Sequence, residues 1–82
     1  MNIPTITAKY CDYGHTEPPY AMTTHIHLYW ELVYYRFGTG TSTVDGISYN
    51  YLPDTYVIIP AGTPHSEKAG SDTRLYIYGF EV

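Results

Sequence analysis

His25, His27, Glu31 and His65 are the side chains whose types and spacing could share one piece of chemistry. In an extended strand, side chains at i and i+2 lie on the same face, roughly 7 Å apart. His25 and His27 stand in that relation, so both imidazoles can address one point. Glu31 shares their parity if the strand runs on with little disturbance, and the face then continues as Val33, Tyr35 and Phe37. A carboxylate on such an apolar and aromatic face is expensive to bury unless a partner or a cation compensates it. His65 follows a Pro-Ala-Gly-Thr-Pro turn that fixes where the next strand begins. If that strand lies beside the first, a third imidazole joins the group. Three imidazoles and one carboxylate suit a divalent transition metal such as iron, manganese, nickel or zinc, with two open positions if the ion is octahedral. Each residue also has an ordinary alternative role. Glu31 can pair with Arg36 or accept from a tyrosine hydroxyl, and His65 can donate to a backbone carbonyl in its own turn.

The elements that must position these groups are short strands. No stretch longer than about ten residues keeps helical spacing without a Pro, Gly or β-branched interruption. Ile3 to Tyr10 reads as a first strand, and Gly14 to Pro19 as a loop stiffened by two prolines. Tyr20 to Leu28 reads as a second strand with Thr23-Thr24 marking a bend. Trp30 to Phe37 (WELVYYRF) is the strongest strand signal. Thr41 to Tyr51 centres on Asp45-Gly46, the signature of a two-residue hairpin turn. Thr55 to Ile59, His65 to Lys68 and Arg74 to Glu81 complete the series. About eight short strands at ~8–12-residue spacing predict an all-β sandwich or barrel. On the last strand Tyr76, Tyr78 and Phe80 share a parity that either lines a pocket or packs the core, while Trp30 has the parity opposite to Glu31.

Composition sets limits on partners. The chain has 82 residues, room for one domain, and is 44% hydrophobic with eleven tyrosines against two phenylalanines. Tyrosine fits the pleated, half-buried surface of a strand. Its four basic residues, Lys9, Arg36, Lys68 and Arg74, are scattered. A phosphate backbone needs clustered Lys and Arg, so nucleic acid and anionic membrane surfaces are not expected partners of this chain. The single Cys11 forms no internal disulfide. A basic n-region followed by an apolar stretch is missing, and so is any run near the ~18 residues that span a bilayer, so a cytoplasmic protein is expected.

With these residues in view, the chain resembles the cupin superfamily. His25-Ile-His27, three residues, Glu31, six residues and Gly38 match the spacing of the first cupin motif, and Pro60-Ala-Gly62-Thr-Pro-His65 matches the centre of the second. The Asp45-Gly46 hairpin falls at the inter-motif turn. Asp54 stands where the second motif usually begins with Gly, and Ala69 where it usually ends with Asn. The resemblance implies a double-stranded β-helix, a jelly-roll barrel with its site inside, and places His25, His27, Glu31 and His65 at the four metal-ligand positions. The run from His25 to Ser66 is similar to the effector-binding domain of AraC-type transcriptional regulators, and LYIYGFEV is like the last barrel strand of those domains. That implies a small-molecule effector such as a sugar or related metabolite, a homodimer, and a chain of 1–82 that is one cupin domain of a longer regulator, without its linker helices and DNA-binding part.

Three functions follow as expectations. The first is an effector-sensing module in which Tyr35 and Phe37 form walls and the His/Glu cluster supplies polar anchors, a mix that small-molecule pockets use. The second is a metal-dependent enzyme of dioxygenase, isomerase or decarboxylase type, with Asp54 and Glu67 as further carboxylates near the second motif. The third is a dimerisation piece with a vestigial site.

Overall fold

The computed structural model describes residues 5–82, and the strand expected from Ile3 starts outside them. Eight strands follow one another: β1 Thr7–Thr16, β2 Ala21–His25, β3 Trp30–Phe37, β4 Gly40–Val44, β5 Ile47–Tyr51, β6 Thr55–Ile59, β7 His65–Ala69 and β8 Thr73–Glu81. They form two four-stranded antiparallel sheets, β1-β8-β3-β6 (sheet A) and β2-β7-β4-β5 (sheet B). No helix occurs among the described residues, so none there is long and apolar enough to cross a membrane.

The topology grows outward from one turn. Asp45 and Gly46 have φ of 51° and 77°. Positive φ at both central residues is what a two-residue hairpin with the right-handed strand twist demands. Around it the pairings nest: β4 with β5, β3 with β6, β2 with β7, β1 with β8. This is a long hairpin rolled into a barrel. His25 and His65 stand at equal distances on either side of Asp45, and the nesting sets them opposite each other. A Cβ at Gly46 would meet nothing within 4 Å, so Gly46→Ala carries only the left-handed backbone penalty. We expect a loss of about 1 kcal/mol in urea unfolding; unchanged stability would contradict the turn assignment.

β3 is a central strand, pairing with both β6 and β8. Its Glu31, Val33 and Tyr35 are buried, and the opposite parity faces out. The core combines Val33, Tyr35, Tyr51, Ile59 and Leu75. Tyr35 of sheet A stacks on Tyr51 of sheet B with ring centroids 3.8 Å apart, and the buried Tyr51 hydroxyl meets Thr73 Oγ1 at 2.8 Å. Flat rings with a polar tip thus fill the middle of a thin sandwich without leaving the hydroxyl unpaired.

Two face assignments are corrected. Phe37 is 54% exposed instead of continuing the inner face. The register of β3 on β8 shifts between Tyr35 and Phe37, and this bulge breaks the alternation. On β8 the inner parity belongs to Leu75, Ile77 and Gly79, whereas Tyr76, Tyr78 and Phe80 lie on the other side. There Tyr76 packs on Tyr13 and Tyr34, and Phe80 stacks on Trp30. Much of the tyrosine content serves this outer aromatic layer.

β1 also extends further than its sequence suggests, absorbing Gly14, His15 and Thr16 from the expected loop. These residues pair with Leu75, Arg74 and Thr73. In the turn between β5 and β6, Asp54 has φ of 63°. It adopts the left-handed conformation of the glycine it replaces, which Asp tolerates better than most residues.

Candidate metal centre

The imidazoles of His25, His27 and His65 converge where β2 meets β7. Their ring centroids lie 4.6 Å (His25–His27), 4.2 Å (His25–His65) and 4.8 Å (His27–His65) apart. One ligand nitrogen from each falls within 4.8 Å of the others. The local chain explains why. The register of β2 on β7 shifts between Met22 and His25, at the Thr23-Thr24 bend, and then pairs His25 directly with His65. The Pro60–Pro64 turn is tied down by Gly62 N–H donating to the His27 carbonyl at 2.8 Å, with Gly62 at φ 76°. That bond locks the start of β7 to the end of the β2 segment.

Glu31 reaches the site by a different route from the one its parity suggested. The strand does not run on from His27; the chain leaves sheet B after His25 and enters sheet A at Trp30. Glu31 therefore faces the imidazoles from the opposite sheet. Its Oε2 lies 3.0 Å from His27 Nδ1, and its carboxylate stands outside the mutual 4.8 Å set of the three histidines. Arg36, its alternative partner, pairs instead with Asp54 at 3.3 Å.

Two of the three rings are oriented by backbone. Nδ1 of His25 lies 2.9 Å from the Thr23 carbonyl, and Nδ1 of His65 lies 2.9 Å from the Thr63 carbonyl. A carbonyl only accepts, so Nδ1 carries a proton in both rings, and Nε2 is the nitrogen that offers a lone pair in the neutral form. Metal-binding histidines are commonly fixed in this way. Burial, with the neighbouring His25 and His27 adding to it against the Thr63 carbonyl, lowers the pKa of His65. The ring is thus held in the neutral form that coordinates a cation.

The donor set fits a metal ion on direct observations. His65 Nε2 and His27 Nδ1 are buried and have no hydrogen-bond partner. An unmade hydrogen bond at a buried polar atom costs about 1–3 kcal/mol, and a shared cation would satisfy both. The 3.0 Å between His27 Nδ1 and Glu31 Oε2 lacks hydrogen-bond alignment. It matches adjacent ligands at about 2.1 Å from one octahedral ion, which stand about 3.0 Å apart.

Tyr10, from the edge strand β1, donates its hydroxyl to Glu31 Oε2 at 2.6 Å. Burial first, then this carboxylate, push the phenol well above its ordinary pKa, so it remains a donor. The ring crosses the inner face of β8 at Gly79, where a Cβ would lie 2.1 Å from Tyr10 Cε1. Tyr10, Gly79 and Glu31 form one row across sheet A. A glycine inside LYIYGFE is the sequence sign of such a close approach, but nothing in the sequence says which ring comes near. Tyr10→Phe is expected to cost about 1.5–3 kcal/mol, because a buried charged acceptor loses its donor. A urea denaturation midpoint within error of the parent would refute that role.

A cavity of about 210 Å³ opens between the sheets beside the histidines. Val33, Ile59, Leu75 and Ile77 form its apolar walls; Tyr35, Ser42 and Glu67 lie along its length. Tyr35 lines it as expected, whereas Phe37 lies apart with Arg36, Asp72 and Arg74. Glu67 faces the Tyr35 hydroxyl, and burial raises its pKa. Asp54 is remote and exposed, bonded to the Tyr34 hydroxyl. A wider hollow of about 580 Å³ lies on the outer side of sheet A, near Ile6, Leu32, Ile58 and Phe80. It lacks the convergent polar groups that orient a ligand.

Solved structures of similar shape bear on this arrangement. Salicylate 1,2-dioxygenase from Pseudaminobacter salicylatoxidans superposes with a TM-score of 0.81 at 14% identity, over 84% of this chain and 20% of that one. The same enzyme as a gentisate adduct gives 0.82 at 16% identity, over 94% and 20%. The fold is the cupin jelly roll. A further structure, the plu4264 protein from Photorhabdus luminescens, gives 0.78 at 15% identity, over 87% of this chain and 61% of that one. This chain spans about a fifth of the dioxygenase's length. No protein-family model and no curated protein matches the sequence.

Proposed function

We propose that this cupin is a metal-dependent module that binds a small organic acid beside a His25/His27/His65 centre and serves oxygenase-type chemistry. The observation that carries the reading is the buried, unpartnered Nε2 of His65, its tautomer fixed by the Thr63 carbonyl. That nitrogen converges with the imidazoles of His25 and His27, and three nitrogens aimed at one point suit a shared cation better than separate hydrogen bonds to an effector. The effector-binding expectation rests on the wording of the sequence, while the geometry and the dioxygenase neighbours favour the metal-dependent alternative.

His25, His27 and His65 would hold the ion, with Glu31 beside them as a fourth ligand or a hydrogen-bond acceptor. A bound divalent iron or manganese supplies Lewis acidity and a dioxygen site. The chain's own residues do the rest. Tyr10 fixes Glu31, the Thr23 and Thr63 carbonyls fix two imidazoles, and Val33, Leu75 and Ile77 exclude water from one wall. Cavities of about 150 Å³ hold benzene, so one of about 210 Å³ admits a single substituted ring.

Salicylate and gentisate, the compounds named with the neighbouring enzyme, are the first substrates to offer. Protein loaded anaerobically with iron(II) should consume dioxygen in step with one of them, and His65→Ala should not. A metal-loaded protein that consumes no dioxygen with either compound, and whose cavity binds neither, would overturn the reading.

A further inference from the structure

The cavity has a second polar end. Glu67 lies on β7 two residues beyond His65, so both side chains face inward with a step of roughly 7 Å between them. Its Oε1 is buried and without a hydrogen-bond partner. Register sets Glu67 opposite Met22 on β2 and Ser42 on β4, and across the cavity it faces Tyr35. Between this carboxylate and the imidazoles the walls are apolar, formed by Val33, Ile59, Leu75 and Ile77. A cavity with cation-binding nitrogens at His65 and an unused acceptor one strand step away at Glu67 can read a ligand at two points.

We infer that Glu67 is a specificity residue that accepts a hydrogen bond from a donor at the far end of the bound molecule. Resting on the metal-dependent reading, this narrows the ligand class to single-ring acids with a hydroxyl or protonated amine opposite the metal-binding carboxylate. The length supports this: one six-membered ring with substituents at opposite positions spans the step from His65 to Glu67. The Tyr35 hydroxyl faces the carboxylate, and Oε1 is left without a partner within the protein.

The test uses cobalt(II)-loaded protein, whose visible spectrum reports coordination at the metal, and calorimetric titration with benzoate, 4-hydroxybenzoate and 4-(aminomethyl)benzoate. The acids bearing a donor should bind about tenfold more tightly than benzoate, as one additional hydrogen bond predicts. Glu67→Leu should erase that preference and leave benzoate affinity within about threefold. Glu67→Gln keeps an acceptor oxygen but no charge, so it should retain the preference for the hydroxyl and lose that for the amine. Equal affinities in the parent protein, or a preference that survives Glu67→Leu, overturn the inference while the metal reading stands. Cobalt retained with no spectral response to any acid overturns both the organic-acid reading and this inference. Failure to retain cobalt at all removes the metal centre itself.

Discussion

His65→Ala should reduce metal retention by at least about a hundredfold, since losing even an outer-shell partner of a ligand costs up to about that much. The purified parent, dialysed against cobalt(II) or zinc(II) and weighed for metal by mass spectrometry, should hold close to one ion per chain. His25→Ala and His27→Ala should fall with His65→Ala, because all three nitrogens lie within 4.8 Å. His15→Ala is the control. His15 also belongs to a group that could ligate, with Glu17 and Asp72, but all three are exposed and His15 is already paired with Asp72. Loss of the ion in the His15 variant, with retention in the His65 variant, would move the site to the surface. Glu31→Gln separates two roles for the fourth residue. An ion held equally well would leave Glu31 as the acceptor of Tyr10, and a large drop would make it a ligand.

Gly79→Ala is the second change with a large expected effect, and it replaces no candidate ligand. The new methyl would sit 2.1 Å from Cε1 and 2.2 Å from Cζ of Tyr10. The ring has little freedom to retreat, since its hydroxyl is fixed on Glu31 at 2.6 Å. Overpacking costs about 1–3 kcal/mol, and release of Tyr10 would add loss of a charged hydrogen bond. We expect about 3 kcal/mol or more in urea unfolding, a large fraction of the stability of so small a domain. The pair should be strongly coupled. Tyr10→Ala in the Gly79→Ala background should restore part of the loss, since the clash is gone. Additive effects of the two substitutions would mean that Gly79 is glycine for another reason.

These two experiments probe what was least legible in the sequence. WELVYYRF announced its strand, and TYVII and the Asp45-Gly46 hairpin were equally plain, because apolar runs and turn chemistry are local signals. β7 and β8 differ by one residue from their expected spans. The second half of β1 was hidden because CDYGHT is mostly exposed and carries no alternation; only its pairing with β8 makes it a strand. Inner and outer faces were read correctly along Glu31, Val33 and Tyr35, then lost at Phe37, where a bulge resets the count. On β8 the alternation was visible but not its sign. Aromatic residues drew the inward assignment, whereas the core took Leu75 and Ile77, and the aromatics went to the outer layer.

The site divides in the same way. The three histidines were found from spacing, and they do converge. Glu31 stands beside them, 3.0 Å from His27, though it arrives from the opposite sheet and not along a continuous strand. Tyr10 was missed because its part depends on a register shift between Ala8 and Tyr10 and on a gap left at Gly79. Glu67 was visible as a carboxylate near the second motif, but its depth and its free oxygen come from packing alone.

The nesting of strand pairs around Asp45 makes the chain a ruler with its zero at the turn. Ligands from one arm meet a ligand from the other only while the two arms are counted alike. Deleting one residue between the turn and His65 would slide β7 against β2 and send His65 to the opposite face. A matching deletion on the other arm would bring the partners back into step. Insertions at the zero mark itself leave the tally on both arms untouched, so the hairpin tip can lengthen freely while the flanks cannot. In such a chain the centre is preserved by parity of length, a constraint that no single residue carries.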